Sequence, residues 1–308
     1  WACKERLVSG RRVAVTGASG FIGGALTAYL AGRGDEVVRL VRHQPTQPSE
    51  RRWDPVRGGL DPRAIDDVDA IVHLAAAGVG DHRWTPAYKE LVLRSRVDGT
   101  AAVATAIAQT GRPIRFVCGS AIGYYGDRGD ESLTELSGPG TGFLAEVARA
   151  WEGSAEPAIA AGAPVAFARH GLVMGPGGGA FARLLRLARW GLFGPLGSGR
   201  QYWSWITLAD SVRALSHLID RPDLTGPVNI VGPDPRPQRV VASAIGHALH
   251  RPAMLPAPSV ALRVALGEFA GDILGSQRVM PFALTGSGFT FEHSMLRPAA
   301  AWLVRESS

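Results

Sequence analysis

The chain has 308 residues, 46% of them hydrophobic and 19% charged, enough apolar material for one large domain or two modest ones and incompatible with a disordered or fibrous chain. Thirty-three basic residues against twenty-seven acidic give a net charge of +6, yet only Lys4 and Lys89 are lysines, so a mechanism built on a central lysine has almost no candidates. Cys3 and Cys118 cannot make a disulfide framework, no metal cluster is legible, and the apolar stretch 260–274 is broken by Arg263, Glu268 and Asp272, so the reading is a cytoplasmic protein with no membrane partner.

Residues 1–11 read as a tail or linker, which leaves a missing upstream domain open. From Arg12 a short β-branched run, a glycine-rich turn, an amphipathic helix and another short apolar run recur. Strands are predicted at Val13–Thr16, Val37–Val41, Ala70–Leu74, Ile114–Cys118 and Val165–Arg169, with helices between them at Gly23–Gly32 and Val97–Gln109. Continuous apolar strands alternating with helices imply a doubly wound α/β fold, a parallel Rossmann sheet covered on both faces. After Gly171, glycine and proline punctuate the chain, with helices expected at Ala180–Trp190, Leu208–Asp220, Arg239–His250 and Val260–Leu274 and a short strand at 228–231 that can return to the sheet. The resulting division is a nucleotide-binding domain over 12–170 and a smaller substrate-binding region over 171–308. Arg183, Arg186 and Arg189 fall on one helical face, either simply solvated or forming a basic rim for an anionic small molecule. No basic run or basic-aromatic repeat points to nucleic acid.

Val13 to Thr16 run directly into Gly17-Ala18-Ser19-Gly20-Phe21-Ile22-Gly23, where the helical pattern begins. Glycine permits the tight strand-to-helix turn, lets the backbone approach a pyrophosphate, and packs the helix on the sheet, so a dinucleotide is expected at the helix N-terminus. Counting about twenty residues onward reaches Asp35-Glu36, but these precede the second strand, whose carboxyl end is Val41-Arg42-His43. The position facing the ribose therefore carries Arg42, which suits a 2′-phosphate and predicts NADP(H).

With His73-Leu74-Ala75-Ala76 closing a later strand, the Thr-Gly-x-x-Gly-x-x-Gly run of Thr16 to Gly23 resembles an extended, atypical short-chain dehydrogenase/reductase. Arg83-Trp84-Thr85, Ser120 to Gly126 (Ser-Ala-Ile-Gly-Tyr-Tyr-Gly), Trp151-Glu152, Gly171 to Pro176, Pro195 to Gln201, Trp203 to Ile206 and Ser276 to Val279 narrow it. They resemble the epimerase-like subfamily of class 39U with a DUF1731-type C-terminus, over residues 12 to about 295. The resemblance implies that Thr16, Gly17, Ser19, Gly20, Phe21, Ile22 and Gly23 hold the pyrophosphate, Arg42 the adenosine phosphate, and Leu74, Ala75 and Ala76 the adenine and ribose. It puts Ser120 against the substrate and cofactor, Gly171, Leu172, Val173 and Met174 beside the nicotinamide, and Trp84, Arg200, Tyr202, Trp203 and Trp205 on the substrate side. A homodimer, common in such proteins, stays open.

The departure lies in the chemistry. Residues four after Tyr29, Tyr88, Tyr124, Tyr125 and Tyr202 are Arg33, Val92, Arg128, Gly129 and Ile206, so the usual Tyr-x-x-x-Lys pair is absent. Alignment on Trp151-Glu152 places Leu144 and Ala148 in its positions, and Arg96 replaces the family's asparagine. Three readings follow: an NADP-dependent oxidoreductase or epimerase of a small carbonyl or hydroxyl compound, with Ser120 orienting it and Tyr124, Tyr125 or Glu146 supplying a proton beside Arg96; a non-catalytic NADPH sensor or scaffold; or a lyase or isomerase on the same fold.

Overall fold

The computed structural model describes residues 10–57 and 59–307; Cys3 and Lys4 lie outside the described residues. Seven strands make one parallel sheet: β1 (Arg12–Thr16), β2 (Glu36–Val41), β3 (Glu50–Arg52), β4 (Ala70–His73), β5 (Arg115–Ala121), β6 (Val165–His170) and β7 (Gly226–Ile230). Their order is β7-β6-β5-β4-β1-β2-β3. The direction of winding reverses between β1 and β4, which opens a crevice at their carboxyl ends, the general ligand position of such sheets.

Alternation along each strand fills two cores. Val13, Val15, Val117 and Ala166 face one layer, built on α1 (Phe21–Gly32) and α5 (Leu208–Asp220); Ala14, Phe116, Cys118 and Phe167 face the other, on α2 (Pro86–Thr110) and α3 (Phe143–Gly153). Burial on both sides pushes the Cys118 thiol up to about 12, the state of a small apolar side chain and not of a nucleophile. A third core joins Met174, α4 (Gly179–Arg189), Trp203, Trp205, α6 (Gln238–Ala248) and α7 (Leu296–Glu306). Residues beyond 170 thus supply both the edge strand β7 and this separate core.

Several expected elements differ in extent. The helix expected at Val97 begins at Pro86, because Thr85 caps it by accepting from the Tyr88 amide and Pro86 needs no donor. The helix expected over 260–274 breaks at Gly267, whose φ of 64° is left-handed, into Ser259–Leu266 and Ala270–Leu274. The short edge strand β3 carries no apolar run and gave no periodic signal. Arg11, placed with the tail, is anchored: its amide donates to Asp35 and its guanidinium to the Ile219 carbonyl. Among the described residues no helix is long and apolar enough to cross a membrane.

Candidate functional site

The crevice is lined on one side by the turn from β1 into α1. Gly17 has φ 67°, and a Cβ there would lie 2.9 Å from the Ala75 amide nitrogen. At Gly23 a Cβ would lie 2.1 Å from the Gly17 carbonyl oxygen, so no larger residue fits the turn. Gly20 caps α1 without a side-chain hydrogen bond, and the first turn carries no acid. The leading amides of α1 therefore keep their donors for an anion, and the positive end of the helix dipole faces the same place. Ser19 is exposed, while Phe21 covers Gly178 and Gly179, joining the two glycine-rich segments.

Thr16 explains why the motif begins with threonine. Its Oγ1 accepts from the amides of Leu74 (3.0 Å) and Ala75 (3.2 Å) and donates to His73 Nδ1 (2.7 Å), tying the ends of β1 and β4 together. The His73 proton then belongs on Nε2, which has no hydrogen-bond partner among the described residues; the ring stands edge-on to Trp53. Complete burial lowers its pKa to about 3.

At the end of β2 the Arg42 side chain is exposed and has no acidic partner among the described residues. Arg52, which sequence reading missed, stands opposite Val41 on β3, also exposed, and adds positive charge at the same edge. Asp35, by contrast, is at the opposite end of the sheet, where it pairs with Arg33.

The other wall, from the ends of β5 and β6, differs from the expectation. Ser120 is 3% exposed and its hydroxyl donates to Glu152 Oε1 at 2.6 Å, so that proton already has a carboxylate acceptor inside the protein. Glu152 also receives Arg169, Nε to Oε1 and Nη2 to Oε2, each 2.7 Å. This two-pronged pair is nearly enclosed. Arg169 Nη1 donates to the Tyr125 hydroxyl (3.0 Å), which in turn donates to Asn229 Oδ1 (2.7 Å). Tyr125 is thus a fully buried structural group, and burial pushes its phenol up, correcting its place as a proton donor beside a substrate. Tyr124 differs: the Arg169 guanidinium lies 3.5 Å over its ring, and its hydroxyl has no hydrogen-bond partner among the described residues. Glu152 and Arg169 were missed as members of the site; Glu152 served only as a helix marker, and the signal was an acid on one element and an arginine on another with no sequence proximity.

Arg96 does not join this cluster. Its Nη1 donates to the Ala77 and Val92 carbonyls and its plane lies 5.0 Å from the Trp151 ring, so it clamps the loop after β4 onto α2. Burial lowers its pKa to about 10, and the phenol its charge bears on is Tyr88, not Tyr124 or Tyr125. Glu146 is exposed in the first turn of α3 without a polar partner among the described residues. Leu144 on α3 packs against Gly123, and Ala148 is buried.

The proposed substrate wall separates into two kinds of residue. Trp205 is fully buried, its Nε1 donating to the Asp234 carbonyl, and Trp203 packs edge-on against Phe181, so both indoles belong to the third core and not to a cleft wall. Trp84 is buried between Phe143 and Phe269 and donates to the Val79 carbonyl. Arg200 is exposed and Tyr202 half-buried, under the Arg278 guanidinium. Gly171 admits close passage of the Ser204 carbonyl, Leu172 and Val173 are half-buried beside it, and the Met174 side chain is buried in the third core. Ala75 is half-buried and Ala76 exposed at the end of β4. His170, the last residue of β6, donates from Nδ1 to the Ala168 carbonyl; its Nε2 is buried without a hydrogen-bond partner among the described residues, and burial lowers its pKa to about 4. Among the described residues no cluster of His, Cys, Asp and Glu could hold a metal ion.

A parallel sheet with a glycine turn at its reversal point, and a polar cluster in place of the usual tyrosine and lysine, defines an atypical dinucleotide-fold protein. The model of the NAD dependent epimerase/dehydratase family matches residues 13–232, and that of a domain of unknown function, DUF1731, matches 257–303. The chain belongs to the NAD dependent epimerase/dehydratase family. It is 43% identical over 291 residues to the epimerase family protein Mb2239 of Mycobacterium bovis, covering 94% of this chain and 96% of that one. Among solved structures, the human epimerase family protein SDR39U1, crystallised with NADPH, superposes with a TM-score of 0.87 at 30% identity, covering 96% of this chain and 99% of that one. A nucleoside-diphosphate sugar epimerase from Corynebacterium glutamicum is similar at 35% identity with a TM-score of 0.78; 95% of this chain matches 58% of that protein.

Proposed function

We propose that this chain binds NADP(H) at the carboxyl edge of its sheet and acts as an NADP-dependent oxidoreductase or epimerase on a small molecule carrying a carbonyl or hydroxyl group. The observation that carries the cofactor choice is the pairing of the uncapped α1 terminus with an exposed Arg42 that has no acidic partner among the described residues, supported by Arg52 on the next strand. The relative crystallised with NADPH supports the same reading. The nicotinamide, when bound, supplies or accepts hydride. Tyr124 is the proton-carrying group of this chain, since its hydroxyl is the one left without an internal partner in the β5–β6 cluster. Arg169 holds the Tyr124 ring in place by cation–π contact. Glu152 holds Arg169, and the Ser120 hydroxyl positions Glu152 by donating to it.

A second reading, an NADPH-binding sensor or scaffold, draws on the same cluster: Ser120, Tyr125, Glu152 and Arg169 satisfy one another. Titration with NADPH and NADH tests the cofactor, with NADPH expected to bind more tightly; equal affinity or a preference for NADH removes the role given to Arg42. Turnover of NADPH on a panel of carbonyl compounds and sugar nucleotides, lost in Tyr124→Phe with cofactor binding intact, supports the enzyme. Tight binding without turnover across the panel supports the sensor.

A further inference from the structure

The charge of this chain is divided unevenly. Residues 157–209 and 235–267 hold nine arginines and no acidic residue, while the rest of the chain has 24 basic and 27 acidic residues and is slightly negative. These two segments meet in space. Leu196 bridges Ala257, the Ala257 amide donates to Pro195, and Gly194 is so close to Leu255 that a Cβ would lie 2.2 Å from its carbonyl oxygen. Gly191 lies against Pro252.

Along this junction several large apolar side chains point outward. Trp190 and Met254 are each 82% exposed, and Leu187, Leu192 and Leu255 are exposed beside them. The adjoining helix Ser259–Leu266 has the sequence Ser-Val-Ala-Leu-Arg-Val-Ala-Leu, yet buries none of its residues; Val260 and Val264, one turn apart, are each 71% exposed. Isolated exposed apolar side chains are ordinary, but this many from adjoining segments mark a surface that meets something less polar than water. Arg186, Arg251 and Arg263 are exposed around them and have no acidic partner among the described residues.

We propose that this face docks on an anionic lipid bilayer, with Trp190, Met254 and the helix Ser259–Leu266 entering the interface and the arginines meeting the headgroups. Apolar tips that project suit a fluid interface, and an arginine rim whose own two segments carry no acid suits anionic lipid. The same rim opposes a second copy of this chain, because two like-charged rims would face each other across the contact. The proposal departs from the absence of a membrane partner expected from sequence, which rested on spanning segments; docking needs none. α4 runs from the Phe21 contact at the cofactor turn to Trp190, so the face lies roughly 16 Å from that turn, one eleven-residue helix away.

The test is co-flotation of the full chain with vesicles of phosphatidylcholine alone or with about one-third phosphatidylglycerol. We expect association with the anionic vesicles only, weakened by salt. Replacing Arg186, Arg251 and Arg263 by glutamine should reduce partitioning by about 100-fold, at the usual contribution of a basic residue near an anionic surface. Trp190→Ser with Met254→Ser should reduce it by about tenfold or more. All five side chains are exposed, so an unchanged melting temperature shows that the fold persists. Failure to associate at low salt overturns the proposal, as does association that both variants retain. A concentration-dependent dimer by sedimentation, abolished by Trp190→Ser with Met254→Ser, assigns the face to a second copy and overturns it as well.

Discussion

The two walls of the crevice are built on opposite principles. The wall from β1, α1 and β2 works through backbone: glycines that leave no room for side chains, amides without acceptors, and one exposed arginine. The wall from β5, β6 and α3 works through side chains that occupy one another, with Glu152 and Arg169 at the centre. A backbone-built wall is open to an anion before any ligand arrives, whereas Ser120, Tyr125, Glu152 and Arg169 of the other wall already have partners. Under the proposed function, cofactor recognition falls on the first side and the chemistry on the second.

The strongest way to break this contrast is to remove the centre of the second wall. Glu152→Gln leaves Arg169 buried with its charge uncompensated and should cost about 3–5 kcal/mol of stability, measured by denaturant unfolding; a loss under about 1 kcal/mol would show that the cluster is not closed. Acid should expose the buried histidines next. His73 and His170 are neutral in the folded chain, with pKa values lowered to about 3 and about 4. The unfolded chain takes up those protons below about pH 6.5, so their stabilisation is complete above that pH and is lost as the pH falls toward 4. Each should contribute a slope of roughly 1.4 kcal/mol per pH unit over that window. Replacing His73 by phenylalanine should flatten the profile of unfolding free energy against pH, and an unchanged profile would count against burial of a neutral ring.

Arg42→Ala sharpens the first wall. It should weaken NADPH by about ten- to a hundredfold, at ~1.5–3 kcal/mol for a charged hydrogen bond, and leave NADH unaffected in the same fluorescence titration. Arg52→Ala should act in the same direction and less strongly, being one strand further out. The smallest expected effect on stability is that of Tyr124→Phe, within about 0.5 kcal/mol because its hydroxyl has no partner to lose. Ser120→Ala should instead lower stability by about 1–3 kcal/mol by removing a donor from a carboxylate. Equal stability losses for the two variants would mean that Tyr124 is held as firmly as Ser120.

Much of the first wall was readable in the chain because glycine, helix start and strand order are local. Thr16 to Gly23 and Arg42 sit where the spacing put them, although Thr16 turns out to join two strands and not merely to precede a turn. The second wall was not readable, because its partners are far apart: Glu152 meets Arg169 across 17 residues and Tyr125 meets Asn229 across 104. Strand alternation turned Ser120 inward to Glu152, and third-core packing took Met174, Trp203 and Trp205 out of the crevice. None of this has a periodic signature.

The amino-acid sequence by itself determined the doubly wound parallel fold, the family, the glycine turn and the scarcity of lysine, since each depends on composition or on neighbours a few residues apart. Only the tertiary structure decided which polar groups remain free. Ser120, Tyr124 and Tyr125 are close in sequence and chemically alike, yet one donates inward to a carboxylate, one is bound between Arg169 and Asn229, and one keeps its hydroxyl unpartnered. That distinction is set by the direction of each side chain and by what distant segments bring to meet it.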